Sequence, residues 1–399
     1  MNANQVNQVS LNTDELKNFL THIITNNRHL QGLGKNMVST EVVGESGIGK
    51  TSTVVQLADE LNLNFVKLNL AQIEELGDLV GFPIRQFQMA KKDENDKWII
   101  KWADEHLIED FRKKGYQSTG KSQMSYCPPE WIADKKGGGI LLLDDWNRAD
   151  IRFIQAVMEL VDRQEYISWK LPQDWHIILT SNPDNGDYLV QAIDSAQRTR
   201  FITTQLKFDV ETWAKWAEQE GIDGRCINFL LMNPELVTQD TNARSITTFF
   251  NAISSFEKFE DDLPMIQMIG EGSVGPEFST MFTQFIHNKL DKLVDPKTML
   301  THESDEQVGK MLKEAIGVDH NYRADIASVL CTRLANYALV YAEDNAVTDK
   351  IINRLIMLST EEIFANDLKY LAIREVLNGN KAKFQKLMMN PEVVKMVTK

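Results

Sequence analysis

Apolar positions recur at helical spacing over residues 11–26, where Leu16, Phe19, Leu20 and Ile23 share one face and Asn12 or Thr13 stands ready as an N-cap. This predicts an opening helix. Ser39–Val43 reads as a short strand running into Gly44, and residues 51–61 as a helix with Val54, Leu57, Ala58 and Leu61 on one side. Asn64–Asn69 alternates as a strand. Residues 140–143 are an unbroken apolar run, the pattern of a central parallel strand covered on both faces. A helix carrying Ile154, Val157, Leu160 and Val161 inward follows, and residues 175–180 and Phe201–Leu206 supply two more strands. Strands alternating with helices predict a doubly wound α/β sheet.

The pattern changes after residue 207, where a domain boundary is expected. Asp209 caps an amphipathic helix bearing Trp213 and Trp216, which read as core of a small helical domain over residues 208–260, and the helix stops at Gly221. Residues 261–399 read as a further helical region punctuated by Gly270, Gly272 and Gly275. Between Phe82 and Trp131 lies a polar insertion. Residues 88–100 suit a hairpin turning around residues 92–96, and residues 116–125 have loop composition. Lys91, Lys92, Arg112, Lys113, Lys114 and Lys121 are interleaved with Asp93, Glu94, Asp96 and Glu109, the mark of a solvated mixed-charge surface.

Composition narrows the function classes. At 43% hydrophobic and 25% charged residues the chain is ordinary for a soluble globular protein, and no stretch approaches the apolar length of a membrane span. The opening MNANQVNQVS lacks the basic and apolar regions of a signal peptide, so a cytoplasmic location is expected. A net charge of -14 works against non-specific binding to phosphate backbones. Cys127, Cys226 and Cys331 are scattered, and the histidines show no ligand spacing, so neither a disulfide framework nor a transition-metal site is indicated.

The strongest chemical signal is Gly44-Glu45-Ser46-Gly47-Ile48-Gly49-Lys50-Thr51, with Ser52 next, which fits the P-loop pattern between a strand and a helix. Its glycines let successive amides point at phosphate oxygens, and the helix N-terminus adds positive potential. Lys50 is placed to reach the β- and γ-phosphates of ATP, and Thr51 to offer a hydroxyl to Mg2+. Asp144 and Asp145 close the apolar strand as a Walker B element. Asp144 is expected in the magnesium shell, and Asp145 where a carboxylate can orient the attacking water.

The runs GILLLDDWNRAD, ELVDRQEYISWKLPQDWHIILTSNPD and AQRTRF, with Pro128-Pro129-Glu130-Trp131 upstream, resemble the MoxR-like AAA+ ATPases of dynein-related type. The resemblance continues more weakly through FDVETWAKWAEQEGI, NARSITTFF and IGEGSVGPEFSTMF. It implies an AAA+ α/β domain, a helical lid and a C-terminal helical region. It also implies roles: Asn182 as sensor 1, Arg200 as the arginine finger with Arg198 its competitor, and Arg244 as sensor 2 in the lid. Arg148 stands open between an inter-subunit contact and a solvated helix start. Two departures from the family are Asp145, where most relatives carry Glu, and Thr199, where many carry Asn.

The resemblance further implies a ring, six copies being the family's usual number, in which each site is completed by a neighbour's Arg200 and ATP drives the remodelling of a partner protein. The family's habit of working with von Willebrand A domain proteins implies such a partner. Two other readings stay open: a nucleic-acid translocase of McrB-like type, disfavoured by the acidic charge, and an ATP-binding switch with little turnover.

Overall fold

The computed structural model describes residues 9–397 except 167–168, 192–193, 288–292 and 318; the first eight residues, on which the reading of MNANQVNQVS largely rests, lie outside them. Helix α1 (Thr13–Gly32) begins at Asn12, whose side chain accepts from the Glu15 amide while the Glu15 carboxylate accepts from the Asn12 amide. This reciprocal capping box settles which of the two candidate caps acts. In chain order, β1 (Ser10–Leu11), β2 (Ser39–Val43), α2 (Lys50–Glu60), β3 (Asn64–Asn69) and α3 (Leu76–Val80) lead into an insertion. The insertion comprises β4 (Phe82–Lys92), β5 (Trp98–Asp104), α4 (Ile108–Lys113) and β6 (Gln117–Cys127). Then come β7 (Gly139–Asp144), α5 (Ile151–Arg163), the small pair β8 (Glu165–Tyr166) and β9 (Trp169–Lys170), β10 (Trp175–Ser181), α6 (Ser195–Arg198) and β11 (Phe201–Leu206).

Six strands form one sheet in the order β1-β11-β2-β10-β7-β3, and its registered pairs are all parallel. Alternation along β7 sends Ile140 and Leu142 to one face and Leu141 and Leu143 to the other. The first pair packs with Leu16, Leu20 and Ile24 of α1 and Val54, Leu57 and Ala58 of α2. The second packs with Phe153, Ile154, Val157, Leu160 and Val161 of α5. Each of the larger side chains contributes about 1.5–3 kcal/mol by leaving water, so the two-sided core fixes the register that aligns the strand ends.

The insertion is a second, antiparallel sheet of order β5-β4-β6. The expected hairpin is present, with Lys92 opposite Trp98. The expected loop over residues 116–125 is instead mostly strand, because β6 pairs with β4 from Phe82 opposite Cys127 to Ala90 opposite Gln117. Its side chains are largely exposed, so the residues carry loop composition while the backbone is recruited by a distant partner. Met89, Ala103 and Tyr116 form a small core beneath α4 with Ile108 and Phe111. The Pro-Pro-Glu-Trp element anchors the base of this insertion. Trp131 donates its indole N–H to the Asp78 carbonyl at 2.9 Å and meets Trp169 edge-on at 5.7 Å.

Gly81 makes that junction possible. Its φ is +87°, and a Cβ there would lie 2.0 Å from the Cys127 carbonyl oxygen. Gly81→Ala combines backbone strain with a clash that backbone alone can relieve, so it is expected to cost about 2 kcal/mol or more, readable in denaturant titration. An unchanged midpoint would contradict this packing.

Contacts divide the chain at 207/208 into two compact units. In the second, α7 (Val210–Gln219), α8 (Gly224–Met232), α9 (Ala243–Ala252), α10 (Leu263–Ser273) and α11 (Pro276–His287) share one core. Asp209 caps α7 through the Thr212 amide, and Trp213 is buried against Trp216 and Phe250. The sequence placed the edge of this core at residue 260; packing carries it on to Ile286, since Gly270 lets α10 approach Ser279 of α11 and Phe249 of α9. A further helical core begins at Met299. The first unit is a doubly wound α/β domain built on a parallel central sheet, and the second is helical among its described residues. No helix among the described residues is long and apolar enough to cross a membrane.

Candidate functional site

Four strand ends converge at the carboxyl edge of the main sheet. The loop after β2 bends at Gly47 (φ +75°) and Gly49 (φ +101°), conformations that strain any side chain with a Cβ. Gly49 opens α2 with no side-chain cap, and the first turn of a helix is where backbone amides can meet phosphate oxygens. Gly44 is needed for closeness: a Cβ there would meet Ile48 at 2.6 Å and the Leu206 carbonyl oxygen at 3.1 Å. Glu45 and Ser46 are tied by a residue that sequence reading missed. The Tyr188 hydroxyl donates to the Glu45 carboxylate at 2.7 Å and accepts from the Ser46 amide at 3.2 Å. Partial burial and then the neighbouring Glu45 carboxylate hold the Tyr188 phenol above its ordinary pKa, so it stays protonated and able to donate.

Lys50 is buried and lies across the loop mouth. Its ammonium donates to the carbonyls of Gly44 (2.6 Å) and Glu45 (2.9 Å) and to Asn182 Oδ1 (3.1 Å). Thr51 Oγ1 donates to Asp144 Oδ1 at 3.0 Å, the same oxygen that the Thr180 hydroxyl reaches. The other carboxylate oxygen pairs with Lys67 at 2.8 Å. Burial alone would raise the Asp144 pKa, but the hydrogen bonds from Lys67, Thr180 and Thr51 outweigh it and hold the carboxyl below its usual range. Asp144 is therefore ionised at neutral pH and suited to a hard cation.

Asp145 turns sharply out of β7 with φ +52°, a conformation uncommon for a residue with a side chain. Its amide donates to Thr180 Oγ1 at 3.2 Å, Asn182 Nδ2 donates to its Oδ1 at 3.1 Å, and Arg148 lies 3.6 Å from its Oδ2. Arg148 thus has an ion pair within its own chain. Asn182 is fixed in turn by Asn147, which donates to its carbonyl at 2.8 Å and accepts from its amide at 3.3 Å. Lys50, Asn182 and Asp145 form one hydrogen-bonded line, and Thr51 and Asp144 form a second.

Arg200 is absent from both. It is exposed, donates to the Ala196 carbonyl at 2.8 Å, and precedes Phe201, which pairs with Ser39 at the start of β2. The P-loop leaves β2 at its other end, after Val43, so Arg200 sits at the opposite sheet edge, about 13 Å away along the strand direction. Arg198, the competitor, is also exposed on the preceding turn. Arg244 belongs to the second unit, in the first turn of α9, where the Asn242 side chain accepts from the amides of Arg244 and Ser245.

Lys67, Thr180 and Tyr188 escaped the sequence reading because only strand order and loop path bring them here. Lys67 meets Asp144 because β3 is the neighbour of β7, with Asn69 opposite Asp144. The donor set fits a magnesium-bound triphosphate. One hydroxyl and one ionised carboxylate are the few hard ligands that Mg2+ takes from protein, and uncapped amides beside a lysine suit phosphate oxygens. Among the described residues no cluster of three or more His, Cys, Asp or Glu residues suggests any other metal.

No protein-family model matches this chain, and no curated protein matches it. Among solved structures it is similar to a point mutant of RuvB from Thermotoga maritima, at 12% identity and TM-score 0.36, over 77% of this chain and 85% of that one. A second point mutant of the same RuvB gives 12% identity and TM-score 0.34, over 76% of this chain and 78% of that one. A candidate ATPase from Cytophaga hutchinsonii gives 14% identity and TM-score 0.30, over 86% of each chain. At these scores the likenesses carry no functional argument, which rests on the residues above.

Proposed function

We propose that this protein is an Mg-ATP-dependent ATPase of MoxR type that acts as a ring, most naturally of six copies, to remodel a partner protein. The observation that carries the reading is the junction of Lys50, Asn182 and Asp145 beside the Thr51–Asp144 pair, with contacts of 3.0–3.1 Å. Phosphoryl transfer asks mainly for positioning and charge stabilisation, and these are the groups that supply both. Amides over residues 44–52 and Lys50 hold the phosphates of ATP. Thr51 and Asp144 hold Mg2+, whose contribution when bound is to neutralise charge on the β- and γ-oxygens. Asp145, oriented by Asn182, accepts a hydrogen bond from the attacking water.

Arg200 stands at the wrong edge of the sheet to serve its own P-loop, and this supports a role in trans. A head-to-tail arrangement that presents Arg200 to a neighbour's terminal phosphate closes into a ring when the rotation permits. Arg244 would read the nucleotide from the lid, so loss of the γ-phosphate would release contacts held by two arginines and convert hydrolysis into movement. A von Willebrand A domain protein is the partner proposed, and the cytoplasm the proposed setting.

A second reading, an ATP-binding switch with little turnover, draws on Asp145, which is shorter than glutamate and already paired with Asn182 and Arg148. One experiment separates the two. Phosphate release per chain is expected to rise at least tenfold between dilute protein and the concentration at which light scattering reports assembly with a non-hydrolysable analogue. Assembly without turnover would favour the switch, and turnover independent of concentration would remove the role in trans.

A further inference from the structure

Glu41 is a carboxylate in the middle of the central strand β2, only 4% exposed, where an apolar residue would be expected. Three neutral donors surround it. Trp146 Nε1 (2.9 Å) and Ser181 Oγ (2.8 Å) donate to Oε1, and Thr203 Oγ1 (2.9 Å) donates to Oε2. Burying a carboxylate on neutral donors alone is expensive, and packing offers cheaper ways to fill this position. What the donors have in common is their place in the chain. Trp146 follows Asp145, Ser181 precedes Asn182, and Thr203 lies on β11, the strand that Arg200 immediately precedes.

Resting on the ATPase reading above, we propose that Glu41 is a positioning residue for hydrolysis. It ties the turn that presents Asp145 to the strand end that presents Asn182, and ties both to the strand leading from Arg200. The Asp145 turn has particular need of such a tie, since its φ of +52° must be held by its surroundings. The fully buried Trp146 indole, anchored to Glu41 and edge-on to Phe201 at 5.5 Å, is the lever that fixes it. The Glu41 carboxylate acts through these donors and stands behind the groups assigned to nucleotide and metal.

The test compares Glu41→Gln, Glu41→Leu and Trp146→Phe with the wild type, measuring melting temperature, affinity for a non-hydrolysable Mg-nucleotide, and kcat at a temperature where each variant is folded. Glu41→Gln keeps Oε1 as acceptor for Trp146 and Ser181, and the Thr203 hydroxyl can rotate to accept from the new amide, so kcat within about threefold of wild type is expected. Glu41→Leu loses every acceptor. Its kcat is expected to fall about thirtyfold or more while nucleotide affinity stays within about threefold, because small misplacements of catalytic groups are costly to rate. Trp146→Phe should fall in the same way, and it decides the matter should Glu41→Leu fail to fold. Folded variants that melt lower but turn over like wild type would reduce Glu41 to a structural residue and overturn the proposal. A wild-type protein without turnover is a different result: it would sink the ATPase reading, and this inference with it.

Discussion

Lys50→Ala is expected to weaken Mg-ATP binding at least a hundredfold while leaving the melting profile of the first unit close to wild type. Lys50 carries an ammonium that the structure joins to both the P-loop carbonyls and Asn182. Charge-assisted hydrogen bonds to phosphate oxygens are strong, and losing those made by one ammonium in a partly dry pocket costs roughly 3 kcal/mol, or about two powers of ten in affinity. Among the groups it leaves in the free protein are the carbonyls of Gly44 and Glu45 and the Asn182 amide oxygen, and truncation to Ala opens room for water to serve them. Equilibrium binding of a fluorescent nucleotide reads the effect. An affinity unchanged in the variant would mean that nucleotide, if bound at all, is bound elsewhere.

Arg200→Ala should behave in the opposite way. Binding should be preserved within about threefold, since Arg200 lies at the far edge of the sheet from its own P-loop, and turnover should fall about a thousandfold, the usual worth of an arginine finger. Mixing supplies the control that a single variant cannot. Arg200→Ala chains offer an intact P-loop and Lys50→Ala chains offer an intact finger, so a mixture should recover part of the activity that each lacks alone. Unchanged turnover in Arg200→Ala would withdraw the assignment and return Arg198 to consideration.

The parts of this account that were legible in the sequence are those governed by local pattern. Ser39–Val43, Asn64–Asn69 and Phe201–Leu206 fall where the sequence pattern places them, because each strand's own run carries its signal, whether buried nearly throughout like β2 or partly exposed at the end of the sheet like β3. Gly44 to Thr51 was legible for the same reason: a loop bent by glycine between strand and helix is a local object. β6 was not, because its polar side chains say nothing of the backbone partner that β4 offers. The partners of Asp144 divide along the same line. Thr51 could be named from spacing alone, whereas Lys67 and Thr180 become its neighbours only once β3 and β10 take their places on either side of β7. Glu41 belongs with the second group, since its donors Trp146, Ser181 and Thr203 come from three distant stretches of the chain.

The central claim is that the amides from Gly44 to Ser52, with Lys50, Thr51 and Asp144, hold a magnesium-bound triphosphate. Isothermal titration calorimetry of the folded wild-type chain with a non-hydrolysable ATP analogue tests it most directly. The account expects one site per chain, with affinity that falls at least tenfold when Mg2+ is removed by chelation and again in Asp144→Asn. No binding heat from folded protein at any magnesium concentration, confirmed by unchanged thermal stability at saturating nucleotide, would contradict it.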